Sequence, residues 1–178
     1  MVRARAFWIL VPAAALSMAL FAGGGAATHA QAPGRTPPSP SVQVAIAGRI
    51  FDLEIALDRL SRHRGLGGRS AIAPYGGMLF SWKQPRQLSM VMRDCAIPID
   101  VAFLDSRGRV VALHAMTPES PRGEDETPFV YESRLRVYSS GKPAQHAVEL
   151  SGGRLEELGV GIGDQFVADW VVLAARVR

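Results

Sequence analysis

The sequence predicts a mainly β fold, an antiparallel β-sandwich or flattened barrel with one or two short helices. Three observations lead there: apolar residues alternate with polar ones at period two from Val42 onward, the apolar runs are short, and Gly, Pro or Asp-Ser clusters punctuate them. Short strands with one apolar face exclude water by packing face to face or by curling into a barrel.

The elements follow in order. Val42, Val44 and Ile46 alternate, Phe51, Leu53 and Ile55 repeat the scheme after Gly48-Arg49, and the two runs read as a hairpin. Leu57 to Arg64 reads as a short helix ended by Gly65-Leu66-Gly67-Gly68. Met78 to Trp82, Leu88 to Met92, Ile99 to Leu104, Arg109 to Met116 and Ala147 to Leu150 are strands. Glu119 to Glu126 is an acidic, solvated connection, Arg154 to Leu158 one helical turn, and Gln165 to Val177 one or two closing strands.

One hairpin allows its register to be derived. Asp105-Ser106-Arg107-Gly108 separates two apolar runs with Asp first and Gly fourth, the pattern of a type I turn followed by a left-handed glycine. Counting outward from Asp105 opposite Arg109 pairs Leu104 with Val110, Phe103 with Val111, Val101 with Leu113 and Asp100 with His114. A carboxylate opposite an imidazole would orient the ring and raise its basicity, or would serve only as a cross-strand ion pair.

Ahead of this domain lies a different kind of sequence. A basic start at Met1 to Arg5, an apolar run over Ala6 to Ala22 and small residues ending Thr28-His29-Ala30 read as a secretory signal over residues 1–30. The alternative is an uncleaved membrane anchor, since the run nearly reaches the ~17 residues a spanning helix needs. Residues 31–41 form a Pro-rich linker, and residues 42–178 a single β-rich domain. The expected location is therefore periplasmic or extracellular, with a membrane contact only through a retained leader.

Charge and cysteine usage narrow the function classes. The formal net charge is +4, and Arg3 and Arg5 of the leader supply two of those charges. The remaining basic residues are scattered among Asp and Glu, so no nucleic-acid partner is expected. Cys95 is the single cysteine, so no internal disulfide forms, and a buried thiol is the expected state.

Several stretches together resemble the bacterial and archaeal domain of unknown function 192 family. They are Phe51-Asp52-Leu53-Glu54-Ile55-Ala56, Arg62-His63-Arg64-Gly65-Leu66 followed by Arg69, Gly77-Met78-Leu79-Phe80, Met92 through Ile97-Pro98-Ile99-Asp100-Val101-Ala102-Phe103, and Gly161-Ile162-Gly163-Asp164. The resemblance implies export and an antiparallel β-sandwich with a small helical element, and no general activity. The chain departs from the family at Gly67, where Met is usual, and at Asp94-Cys95, where Asn-Thr is usual.

Resemblance and hairpin geometry together nominate Arg69, Asp94, Cys95, Asp100 and His114. The favoured reading is a non-catalytic binding or accessory domain for an anionic small molecule or envelope component, with Arg69, Asp94, Asp100 and His114 as ligand contacts. Arg62, Arg64 and Arg69 around the glycine-rich loop suit a carboxylate or phosphate. The alternative is a hydrolase-type enzyme with Cys95 as nucleophile, His114 as base and Asp100 as orienting acid. A copper(I) reading would draw on Met78, Met90, Met92, Met116, Cys95 and His114, but methionines at strand positions are ordinary core residues. Neither metal nor cofactor is expected.

Overall fold

The computed structural model describes residues 40–178; the stretch read from the sequence as a secretory signal, and most of the predicted linker, lie outside the described residues. The fold is mainly β. Six strands, β1 (Ser41–Ile46), β2 (Arg49–Ala56), β3 (Gly76–Met90), β4 (Ile99–Leu104), β5 (Val110–Met116) and β6 (Tyr138–Ser151), form one sheet in the order β1-β2-β3-β6-β4-β5. Four short helices, α1 (Arg59–Arg64), α2 (Pro128–Arg134), α3 (Arg154–Glu157) and α4 (Trp170–Ala175), decorate it. Among the described residues no helix is long and apolar enough to cross a membrane.

The mainly β fold with short helices is as the sequence predicts; in place of an antiparallel sandwich or flattened barrel stands one open, mixed sheet. The reason is α1: it carries the chain back to the start of the sheet, so β2 and β3 pair in parallel, Asp52 beside Gly76 and Ala56 beside Phe80. Every other pairing is antiparallel. Closure is nonetheless approached. Val167 exchanges two backbone hydrogen bonds with Ala45 of β1, and Phe166 N–H donates to Gly108 O while Val110 N–H donates to Asp164 O. Residues 163–167 thus strap the two edge strands, which shields edges that would otherwise invite further pairing.

Alternation along each strand divides the core in two. On one side, Phe51, Leu53, Leu79, Ala102, Leu104, Val148 and Leu150 pack under Phe166, Trp170 and Leu173 of the C-terminal segment. On the other, Met78, Phe80, Val101, Phe103 and Ala147 meet Leu66, Met92 and Tyr138. The first face is sealed by the strap and α4. The second is covered only in part, by the loop after α1 and the segment around Met92.

Helices α2 and α4 stand where no helix is predicted. Thr127 caps α2, its hydroxyl accepting from Val130 N–H, with Pro128 in the first turn. Asp169 caps α4 by accepting from Val172 N–H, and Trp170 and Leu173, three residues apart, turn one face inward.

The β4–β5 turn forms as the sequence predicts, and the register beyond it does not. Asp105 N–H donates to Arg109 O, Gly108 takes the left-handed φ of 83°, and Leu104 pairs with Val110. Phe103 then pairs with Ala112, because Val111 is an extra residue, a β-bulge, and it packs against the same cluster as Ala112. Beyond the bulge every partner shifts by one. His114 lies opposite Val101, and Asp100 lies opposite Ala115.

Candidate functional site

The nominated residues fall into two separate groups: Arg69, Asp94 and Cys95 on the adjoining 66–69 and 92–95 segments, and Asp100 and His114 at a separate pocket of about 220 Å³. Asp100 faces the sealed side and is buried; its Oδ2 accepts from Leu155 N–H at 2.9 Å, closing the first turn of α3. His114 faces the other side, edge-on to Phe103 and Tyr138. Its Nε2 lies 2.8 Å from Ser139 O and must donate, since a carbonyl only accepts, so that nitrogen has no lone pair to offer as a base. The bulge at Val111 therefore removes the Asp100–His114 pair, and with it the geometry of a Cys95–His114–Asp100 triad.

The other three residues have structural partners. Arg69 forms a bidentate ion pair with Glu54, at 2.5 and 2.8 Å, which pins the loop after α1 to β2. Asp94 exchanges hydrogen bonds with Tyr131 of α2: its N–H donates to the phenol oxygen, and the phenol donates to Oδ1. Its carbonyl accepts from Gly68 N–H at 2.8 Å. Gly67 makes that approach possible, since a Cβ there would meet Arg64 O and Arg93 O at 3.1 Å. The half-buried Cys95 thiol donates to Arg93 O, and burial first, then the nearby Glu149 and Asp94 charges, push its pKa up to about 11. A thiol so disposed is protonated at neutral pH and a poor nucleophile.

A cleft of about 460 Å³ opens on the partly covered face, between the α1 loop, β3 and the 91–95 segment. Phe80 and Leu66 line it, both part of the core beneath. Trp82 stacks beside Phe80, with ring centroids 6.4 Å apart. Arg62 of α1 and Arg86 of β3 both approach the Trp82 ring, at 5.5 and 5.8 Å from its centroid. Arg62 also donates to Ser81 O at 3.2 Å. Burial holds the Arg62 guanidinium below its ordinary pKa; the Asp58 carboxylate opposes this, and the like charge of Arg86 adds a lesser push downward. Neither guanidinium forms a salt bridge among the described residues. By contrast Arg93, at the rim, is committed to Glu132 of α2 and to His63 O.

The cleft also holds Glu149, 5% exposed, on β6 between Met78 of β3 and Val101 of β4. No group among the described residues hydrogen-bonds its carboxyl. Burial alone pushes its pKa up to about 8.

Arg62 is legible in the sequence as part of the basic, glycine-rich loop. Trp82, Arg86 and Glu149 are not among the predicted site residues. The one signal for Glu149 is an acid inside the otherwise apolar run Ala147-Val148-Glu149-Leu150, where a charge needs a reason. Among the described residues no three His, Cys, Asp or Glu side chains gather as metal ligands would. Met78, Met92 and Met116 are buried in the core of the cleft face.

Residues 42–168 match the family DUF192, described as "Uncharacterized ACR". Two solved structures are similar. One is a provisionally assigned transcription regulator from Sinorhizobium meliloti 1021, 27% identical, covering 74% of this chain and 96% of that one with a TM-score of 0.60. The other is a protein of unknown function from Novosphingobium aromaticivorans DSM 12444, 24% identical, covering 82% and 99% with a TM-score of 0.59. No curated protein matches the chain.

Proposed function

The chain belongs to the uncharacterised DUF192 family, and we propose that this member is a non-catalytic binding domain for a small anion carrying an apolar body. It would be delivered outside the cytoplasm by the leader read in residues 1–30. One observation carries the reading: two guanidiniums, Arg62 and Arg86, lie 5.5 and 5.8 Å from the Trp82 ring centre in one cleft, and neither forms a salt bridge among the described residues. Like charges held close are unfavourable unless a counter-charge joins them. A carboxylate or phosphate between two guanidinium forks supplies that charge and several charge-assisted hydrogen bonds. Trp82 and Phe80 beneath offer a flat apolar bed, as small-molecule sites commonly do.

Benzoate is a suitable probe, because it joins a carboxylate to a flat apolar ring. Calorimetric titration should show binding that weakens at least tenfold in Arg62→Gln and in Arg86→Gln. Arg69→Gln should leave benzoate affinity within about twofold, since Arg69 is occupied by Glu54. Equal binding by all four proteins, or loss only in Arg69→Gln, would reject the assignment.

A further inference from the structure

The anion site occupies only one part of the cleft, and the part around Glu149 has a different chemistry. Glu149 pairs in register with Met78, and Trp82 lies four residues further along β3. At ~3.3 Å per residue the two stations are about 13 Å apart along the sheet. Phe80 lies midway on the same face, and Leu66 packs in the same cluster. The cleft therefore presents, in order, two guanidiniums on an indole, an apolar floor and a buried carboxyl with no protein partner.

A buried carboxyl without a hydrogen-bond partner is unfavourable in either protonation state, and natural structures rarely keep one where the chain itself could satisfy it. The nearest groups do not satisfy it. Cys95 Sγ donates elsewhere, to Arg93 O, and the Arg93 guanidinium is held by Glu132. Neighbouring β3 and β4 offer Met78 and Val101 at that position, with no polar atom to give. What completes such a carboxyl most favourably is a donor that brings positive charge.

The geometry points to a zwitterionic, elongated ligand: a short peptide with free ends, its C-terminal carboxylate between Arg62 and Arg86, its chain across Phe80 and Leu66, and its N-terminal ammonium on Glu149. This rests on the anion site proposed above and names the ligand class for it. An extended chain advances at most ~3.3–3.6 Å per residue, so about three residues, with the guanidiniums reaching inward, cover the span. Backbone extension also suits a cleft floored by one strand face.

The test uses the full chain, the tripeptide Ala-Leu-Ala with free ends, its N-acetylated and C-amidated forms, and benzoate, all by calorimetric titration at pH 7.5. The free tripeptide should bind at least tenfold more tightly than either blocked form. In Glu149→Gln the advantage over the N-acetylated form should vanish while benzoate affinity stays within twofold, which also reports that the variant is folded. In Arg62→Gln the advantage over the C-amidated form should vanish. If wild-type protein binds the N-acetylated peptide as tightly as the free one, or more tightly, the ammonium assignment fails, because Glu149 then acts as a neutral donor or not at all. Should benzoate still require Arg62 and Arg86 in that case, the anion site stands alone. If neither benzoate nor any peptide binds, both proposals fall together.

Discussion

His146 and Glu149 lie three residues apart on β6 and so face opposite sides of the sheet. Both are buried, and burial drives both toward the uncharged form, His146 down to about 4 and Glu149 up to about 8. Their surroundings differ in kind. On the sealed face, His146 Nδ1 bonds Ser81 Oγ at 2.9 Å and the ring lies 4.8 Å from Trp170. On the cleft face, Glu149 has no partner and borders open space. Burial alone therefore does not mark a site. A missing partner beside an opening does, whereas the buried unpaired Nε2 of His146 is walled in and belongs to the core.

The contrast can be broken most directly at its two tryptophans. Trp170→Ala removes the plug of the sealed face and should cost about 3–5 kcal/mol in urea unfolding at pH 7. Trp82→Ala, at the cleft, should cost about 1 kcal/mol and abolish benzoate binding. Equal losses of stability would mean that the cleft face is as much a core as the other.

Glu149 should make the folded state less stable as pH rises. Between its unfolded value near 4.5 and its folded value near 8, the native protein holds a proton that the unfolded chain has released, so stability falls through that window and is flat above it. Glu149→Gln should remove that slope, a difference on the order of 2–4 kcal/mol between pH 5 and pH 9. An unchanged slope would show that Glu149 is solvated or partnered.

His146 should act with the opposite sign. The unfolded chain takes up a proton near 6.5 that the native ring refuses until about 4, so stability present above 6.5 is lost as pH falls through that window. His146→Gln should flatten the acid limb by about 2–3 kcal/mol. A limb that persists would assign acid sensitivity to other groups.

The smallest effect concerns α1, which buries none of its residues and depends on its cap. Asp58 Oδ1 accepts from Ser61 N–H at 2.8 Å, and Ser61 Oγ reciprocates to Asp58 N–H. Asp58→Ala should lower stability by a measurable amount, the least of these changes. Because α1 carries Arg62, it should also weaken benzoate several-fold, an effect absent if α1 merely decorates the surface.

How far the sequence could reveal all this depended on how local each determinant was. The first hairpin, β4 and the Asp105–Gly108 turn were legible, since alternation and turn chemistry are written within a few residues. The run at Val171-Val172 reads as strand by its β-branched residues, and its identity as helix rests on the Asp169 cap and the burial of Trp170 and Leu173 under the strap, a tertiary matter. Thr127-Pro128 was a readable helix start, overshadowed by the acidic loop before it. The parallel β2–β3 pairing was invisible because nothing in either strand encodes the direction of its neighbour. At the site, Arg62 could be nominated from its loop, and Arg69 equally so. Only the fold shows that Glu54 claims Arg69 and leaves Arg62 to Trp82. Glu149 is a single letter in an apolar run, and its isolation is a property of the strands beside it.

The extra residue at Val111 acts on the sheet as a frameshift acts on a message. Everything before it is read in the frame that the turn establishes, and everything after it is addressed to the opposite partner. Deleting that one letter would only smooth the bulge and leave His114 opposite Val101; His114 would come to the side of Asp100 if Val111 were kept and paired with Phe103. The present arrangement and a would-be acid–base pair thus share one spelling and differ only in whether a single residue of β5 is read or skipped, so the chemistry at this edge is set by punctuation and not by vocabulary.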